Sequence, residues 1–307
     1  MKVIEDVTKL EERFQRLVLT VGSFDGVHLG HQRVLQIVVE HAKRISGVAG
    51  VMTIKPHPRE FFTSQHSPNL LTSDSKKIEL MERAGIDVIF ILPFNEETSA
   101  LSPRAYVENI LYERCRVAEI IVGHDFQFGK NAEGDYDFLR QVADEFQFSA
   151  FQVPPMVING ERISSTVIRE RLFDGDLDEV EKFLGRKYSI RGEVISGRGI
   201  GTTLGFPTAN ILPHHTAIPA QGVYAAEVFL DGSRYPAAVN IGVAPTIKNS
   251  EIVIEAFILG FEGNLRGTEI EILFHKRLRP ERKFASQEEL ISAIKNDVEN
   301  VRSQFLS

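Results

Sequence analysis

The ten residues GSFDGVHLGH, Gly22–His31, decide the fold. They follow the apolar run Leu17–Val21, which reads as a buried strand. They open a stretch, His31–Ile45, whose apolar residues Val34, Leu35, Val38, Ala42 and Ile45 fall at helical spacing, with Gly47 as a stop. A strand that turns through glycines into a helix is suited to holding an anion. Gly22, Gly26 and Gly30 let backbone N–H groups come close, and the helix amino terminus adds a favourable dipole. His28 and His31 lie three apart around that turn, so both rings can face the same phosphates and stabilise the charge on a transferring nucleotidyl group. Two plainer readings stand beside this one. The segment could be a simple strand–turn–helix corner with two exposed histidines, or a His-x-x-His zinc site, although no third or fourth ligand lies nearby.

Working outward, the alternation repeats. Val48–Ile54, Val88–Leu92, Ile120–Val122 and Ala150–Val153 read as buried strands, and Ser75–Ala84, Ser102–Cys115 and Tyr136–Phe146 as helices, Pro103 making a good helix start after Ser102. Strand–helix alternation of this length predicts an α/β fold with a doubly wound parallel sheet, which binds ligands at the carboxyl ends of its strands. From about Lys187 the pattern changes. Tyr188–Ile195, Gly222–Leu230, Tyr235–Ile241, Ile252–Phe261 and Glu269–Phe274 read as strands, with Asp231-Gly232 as a hairpin marker. Ser286 and Glu289 form a capping box ahead of Leu290, Ile294, Val298 and Val301, which predicts one closing helix. The second half is therefore expected to be an antiparallel β-barrel with a terminal helix. The boundary near Leu184–Arg186 gives domains 1–184 and 185–307.

Composition narrows the function classes. With 307 residues, 43% hydrophobic and 25% charged, the chain has ordinary globular proportions. A formal charge of −7 argues against general nucleic-acid or membrane-surface binding, while leaving room for a local basic pocket. The single cysteine, Cys115, excludes an internal disulfide, and its helical setting suits core packing. The charged start MKVIEDVTKLEERF is no secretory signal, and no apolar run approaches the roughly 20 residues needed to span a bilayer. A cytoplasmic location is expected, with small-molecule partners and at most a weak homo-oligomer.

Three further stretches carry chemistry. ISSTVIRERL, Ile163–Leu172, begins a helix capped by Ser164 or Ser165, where hydroxyls of Ser165 and Thr166, free backbone N–H groups and the Arg169 guanidinium suit a triphosphate. A helix cap with an incidental arginine is the alternative. GRGIGTTLGFPTANI, Gly197–Ile211, has glycines at 197, 199, 201 and 205 that would permit a tight flap over phosphates. Its Thr208 and Asn210 offer oxygen donors on alternate positions, suited to Mg²⁺ shared with phosphate oxygens or merely to turn hydrogen bonds. Glu255 is the odd charge in the apolar strand IVIEAFIL, either a general base or a solvated outward residue of an edge strand.

GSFDGVHLGH, PHP at Pro56–Pro58, VGHDFQFG at Val122–Gly129 and ISSTVIR, in this order, resemble the adenylyltransferase module of bacterial bifunctional riboflavin kinase/FAD synthetases. LGFPTANI, QGVYA, NIGVAPT (Asn240–Thr246), IEAFIL and LRPERKF are similar to its riboflavin kinase module, so the resemblance covers nearly the whole chain. It implies an enzyme that phosphorylates riboflavin to FMN and then transfers AMP from ATP to FMN, giving FAD and pyrophosphate. It implies that Gly22, Phe24, Gly26, His28, His31, Ser164, Ser165, Thr166 and Arg169 bind one ATP, with His28, His31 and Arg169 catalytic. Gly197, Gly201, Thr208 and Asn210 would bind the ATP of the kinase module, Thr208 and Asn210 also holding Mg²⁺, and Glu255 would activate the ribityl 5′-hydroxyl. His57, Asp125, Phe128, Gly205 and Phe206 would contact flavin. Phe126 or Phe128 could stack on the isoalloxazine ring, and Phe126 is the better candidate for folding into the core.

The chain departs from the family pattern at a few positions. Ile200 and Thr202 stand where arginines are usual, Gln127 where a basic residue is common, Ala244 where arginine is frequent, and Arg266 where tyrosine is usual. The flap changes are expected to weaken phosphate binding in the kinase module. A nucleotidylyltransferase for another phosphorylated substrate would explain the first half but leave LGFPTAN and Glu255 without a purpose. A flavin-storage protein with degenerate sites would not need His28, His31 and Arg169.

Overall fold

The computed structural model describes residues 1–57, 61, 69–197, 201, 204–213, 216–245 and 250–305. Pro58, Gly199, Ile200, Thr202 and Thr246 lie outside the described residues, and the side chain of Ala244 with them. The chain divides into two compact units, one of residues 1–68 and 74–164, the other of residues 69–73 and 165–307.

The first unit is built on a six-stranded sheet of β1 (Lys2–Ile4), β2 (Leu17–Val21), β3 (Val48–Lys55), β4 (Val88–Pro93), β5 (Val117–Gly123) and β6 (Ser149–Val153). The spatial order is β1-β4-β3-β2-β5-β6, and every pairing is parallel. Helices cover both faces: α1 (Leu29–Arg44), α2 (Asp74–Arg83), α3 (Pro103–Tyr106), which runs on into a π-helix over Val107–Arg114, and α4 (Tyr136–Val142). β2 is buried at all five positions. Leu17, Leu19 and Val21 pack with Tyr106, Leu111 and Leu139 on one face, while Val18 packs with Leu35, Val38 and Met81 on the other. Strand periodicity thus feeds two cores, the signature of a doubly wound sheet. Cys115 lies in the first of these cores, where burial pushes its thiol up to about 12.

Three features of this unit differ from the reading of the sequence. β1 pairs with the edge of β4, but three residues are too short to show a period. The helix expected over Ser102–Cys115 widens into π geometry after Tyr106, and the helix expected over Tyr136–Phe146 ends at Val142. A two-stranded ribbon, β7 (Val157–Ile158) with β8 (Glu161–Arg162), completes the unit.

The second unit holds a closed barrel of β9 (Tyr188–Ile195), β10 (Ala209–Pro213), β11 (Gly222–Leu230), β12 (Ser233–Pro245), β13 (Ser250–Ile258) and β14 (Glu269–Arg279), ordered β10-β13-β12-β11-β14-β9. All its pairings are antiparallel. Asp231 and Gly232 form the two-residue turn between β11 and β12, with φ of 47° and 79°, as a tight hairpin of this hand requires. Ile190, Ile211, Val239, Ile241, Ile254 and Ala256 are buried inside the barrel. α5 (Ser165–Asp174) and α6 (Leu177–Leu184) precede it, and α7 (Gln287–Phe305) closes the chain. Ser286 caps α7 by accepting from the Glu289 N–H at 3.2 Å. Val298 and Val301 of α7 pack on Ala225 and Leu259, and the Arg279 guanidinium holds the buried Asp297 carboxylate at 2.8–3.1 Å. Among the described residues no helix is long and apolar enough to cross a membrane.

Candidate functional sites

In the first unit the strand order reverses between β2 and β5, since chain order runs from β2 outward through β3 and β4 on one side and through β5 and β6 on the other. A crevice forms at the carboxyl ends of the strands flanking such a switch point. Gly22–His31 follows β2 and the His124–Phe128 loop follows β5, so both stretches singled out in the sequence sit there. Topology, not spacing, brings them to one place.

The turn itself is unusual backbone. Phe24 and Val27 have φ of 50° and 39°, and Gly26, between them, has φ of 81°. A β-branched residue at positive φ is costly and persists only where its surroundings dictate it. This kink ends at His28, the N-cap of α1, whose Nδ1 accepts from the His31 N–H at 3.2 Å. An Nδ1 that accepts cannot carry a proton, so neutral His28 bears its hydrogen on Nε2. The two imidazoles stack at 3.6 Å with planes 16° apart, and Phe24 meets the His31 ring edge-on at 5.2 Å. Gly30 packs closely here: a Cβ at that position would come within 3.1 Å of the His28 ring, which would have to shift slightly. Gly22 continues the β2 ladder by donating to the Met52 carbonyl at 3.0 Å.

Burial, with the charges of His28 and Lys77, holds the His31 pKa well below its ordinary value of 6.5. His31 is therefore neutral at physiological pH and acts by donating a hydrogen bond, not as an imidazolium charge. Among the described residues, His31 Nδ1, Thr20 Oγ1 on β2, Thr53 Oγ1 on β3 and His124 Nε2 after β5 are occluded polar atoms without a hydrogen-bond partner. Two adjacent strands and the loop after a third thus carry unsatisfied polar atoms. Natural proteins seldom leave such groups unexplained.

The VGHDFQFG loop is pinned by a bridge between Phe128 and Gly134. Its aromatic rings are placed in the reverse of the expected order. Phe128 is buried in the core against Tyr106 and Phe138, whereas Phe126, stacked on Phe128 at 5.4 Å, is only partly covered. The Asp125 carboxylate pairs with Arg162 of β8 and lies 3.8 Å from His124. Arg162 is a partner the sequence did not suggest, because 37 residues separate the two. Gln127 is exposed, and half-buried His57 follows Pro56 after β3. ISSTVIR divides between the units: Ser164 closes the first, and Ser165 opens the second as the first residue of α5. Thr166 is exposed on α5, and half-buried Arg169 donates through Nε to the Asn69 carbonyl at 2.8 Å.

In the second unit, register builds the site. Asn210 of β10 pairs with Glu255 of β13, which pairs on its other side with Asn240 of β12. The interior positions of these strands are Ile211, Ile254, Ala256, Val239 and Ile241, so the row Asn210–Glu255–Asn240 belongs to the outer wall of the barrel. All three are half-buried. Glu255 is therefore outward but not on an edge strand, since a closed barrel has none. Asn240 was not singled out from the sequence. Its signal is the same as that of Glu255, a polar residue in an otherwise apolar run, AAVNIGV.

The glycine-rich stretch presses on this row. A Cβ on Gly197 would fall 2.1 Å from Asn210 Nδ2, and one on Gly201 would fall 2.3 Å from the Phe206 carbonyl and 3.2 Å from Thr208 Oγ1. Phe206 meets Phe257, two residues from Glu255 on the same face, edge-on at 5.4 Å. Gly205 is exposed, as is Arg266. Thr208 and Asn210 bring neutral oxygen donors beside a carboxylate, a hard donor set that fits a magnesium ion sharing its sphere with water and phosphate. Among the described residues, no cluster of three or more His, Cys, Asp or Glu could hold a metal ion.

Comparison with known proteins bears on both units. Residues 10–167 match the family model for FAD synthetase, and residues 184–305 match that for riboflavin kinase. A bifunctional riboflavin kinase/FMN adenylyltransferase from Pseudomonas fluorescens is 35% identical over 304 residues, covering 99% of this chain and 97% of its own. That of Escherichia coli strain K12 is 34% identical over 307 residues, covering 99% and 98%. A crystal structure described as a macrolide-efflux protein from Streptococcus pneumoniae superposes with a TM-score of 0.88 at 26% identity, covering 98% of each chain.

Proposed function

The chain belongs to the bifunctional riboflavin kinase/FMN adenylyltransferase family, and from that premise we propose how its two units divide the work. It phosphorylates riboflavin with ATP to FMN and adenylylates FMN to FAD, residues 1–184 serving the second step and 185–307 the first. The observation that carries the double activity is the Asn210–Glu255–Asn240 row, which a nucleotidylyltransferase alone would not need.

In the kinase step Glu255 accepts the proton of the ribityl 5′-hydroxyl as its oxygen attacks the γ-phosphorus of ATP, and ADP leaves. Thr208 and Asn210 would hold Mg²⁺, which supplies charge neutralisation on the phosphates when bound. Asn240 orients the Glu255 carboxylate from the opposite strand. Gly197 and Gly201 let the flap close on the nucleotide, and Gly205 and Phe206 border the flavin.

In the adenylyl step an FMN phosphate oxygen attacks the α-phosphorus of ATP and pyrophosphate departs. His28 and His31 donate to the phosphates from the turn that Gly22, Phe24 and Gly26 shape, which amounts to positioning and charge stabilisation without a protein nucleophile. Ser164, Ser165, Thr166 and Arg169 are assigned to ATP phosphates on their residue pattern. The unpartnered Thr20, Thr53 and His124 atoms support a polar ligand at the sheet edge, and His57 and Asp125 are assigned to FMN, with the partly covered Phe126 in place of the core-buried Phe128. ATP as co-substrate of both steps supports a cytoplasmic location.

The test is to incubate the purified chain with riboflavin, ATP and Mg²⁺ and separate the flavins. Sequential appearance of FMN and FAD is expected, and the appearance of neither overturns the reading.

A further inference from the structure

Lys77 is a buried charge that neither step above uses. It lies in the first turn of α2, 8% exposed, where lysine is almost never found unless its charge is matched. The match in this unit is incomplete. Its ammonium lies 3.7 Å from Asp74 Oδ1, beyond hydrogen-bond length, while the other oxygen of Asp74 takes a 2.7 Å hydrogen bond from Lys55 at the carboxyl end of β3. One carboxylate thus serves two ammonium groups. Burial works to raise the Asp74 pKa, but the bond from Lys55 and the charge of Lys77 outweigh it and hold the pKa below the usual value, so Asp74 is a carboxylate shared between the two lysines.

This under-matched lysine lies beside the Gly22–His31 turn. α2 packs against the Asp25–Val27 turn, and Lys77 is near enough to His31 for its charge to depress the imidazole pKa. A buried cation whose one ion pair is a shared carboxylate 3.7 Å away, next to the neutral His31 at the carboxyl end of a parallel sheet, calls for an anion from outside the chain. The arrangement also divides labour. The histidines supply directional hydrogen bonds, and Lys77 supplies the charge they lack when neutral.

We infer that Lys77 binds a phosphate of the ATP consumed in FAD formation, neutralising charge that the neutral His31 can only hydrogen-bond. This rests on the adenylyltransferase reading of the first unit. Lys55 holds Asp74 and so keeps that carboxylate from fully quenching Lys77.

The test uses the full chain, with FAD formation from supplied FMN as one readout and FMN formation from riboflavin as the internal control. Lys77→Met should raise the KM for ATP in FAD formation about 10- to 100-fold, the range for losing a charged hydrogen bond to phosphate. The KM for FMN and the kinase step should stay unchanged, and Lys77→Arg should recover most of the ATP affinity. Lys77→Gln, which keeps hydrogen bonding without charge, serves if the methionine variant does not fold. An unchanged KM for ATP, or an arginine variant as poor as the methionine, overturns the inference. If the His28→Ala/His31→Ala variant also forms FAD normally, the reading of the turn falls with it. If that variant is inactive while Lys77→Met is not, only the role of Lys77 falls.

Discussion

The two halves of this chain build phosphate chemistry by opposite means. In the α/β unit the site lies where strands end, assembled from loops that sequence separation keeps far apart, and its key side chains are held by a kinked turn and by stacking. In the barrel the site lies on the wall, assembled by register from residues in the middle of three neighbouring strands. The first arrangement exposes backbone N–H groups and a helix terminus, which suits stabilising a transferred nucleotidyl group without a protein base. The second places a carboxylate between two amides on a rigid ladder, which suits taking a proton from a hydroxyl at a fixed distance.

The comparison is broken most directly by Glu255→Gln. FMN formation should fall by about 10²–10⁴-fold, the range for loss of a general base, while FAD formation from supplied FMN persists. Loss of both in a rate assay would show that the units do not work separately. The converse substitution, His28→Ala with His31→Ala, should cut FAD formation by about 10²–10³-fold and spare FMN formation. Next in size, Asn240→Ala should reduce the kinase step by about 10-fold with little change in the KM for ATP, as expected of a group that positions the base. A rise in that KM instead would make Asn240 a nucleotide ligand.

Gly30→Ala tests the turn more gently. Alanine favours a helix by about 1 kcal/mol over glycine, so thermal stability should hold or rise while the displaced His28 ring slows FAD formation several-fold. Unchanged kinetics would show that the ring can give way.

The smallest effect is one of pH. Because the folded His31 pKa is depressed below 6.5, the unfolded chain binds more protons once pH drops under that value. The His31 contribution to stability is therefore full above about pH 6.5 and is lost as pH falls toward the folded pKa. Denaturant titrations of His31→Gln should show a weaker loss on acidification than the parent chain, and an equal loss would remove His31 from the account.

Much of this was legible from residues alone. β2, β9 and β11 have the bounds their apolar runs predict, because each is bracketed by turn residues and buried on at least one face. The Asp231-Gly232 hairpin and the Ser286 cap follow from local backbone chemistry and needed no tertiary information. Other features escaped for identifiable reasons. β1 is a strand only because β4 offers it an edge. Phe126 and Phe128 are two residues apart in one loop, and nothing in their spacing says which ring enters the core. The bridge to Gly134 decides that. Lys77 reads as one more charge on an amphipathic helix until α2 docks and removes its water.

The sequence by itself determined the two periodicities, the glycine-rich turns and the residue types able to hold phosphate, because these depend on local φ/ψ preferences and on side-chain chemistry. Only the tertiary structure decided that the Gly22–His31 turn and the Asp125 loop share a switch point, that Asn210 and Asn240 flank Glu255, and that His31 is neutral beside a charged Lys77. Strand order, register and desolvation are properties of packed neighbours, and no single segment contains them.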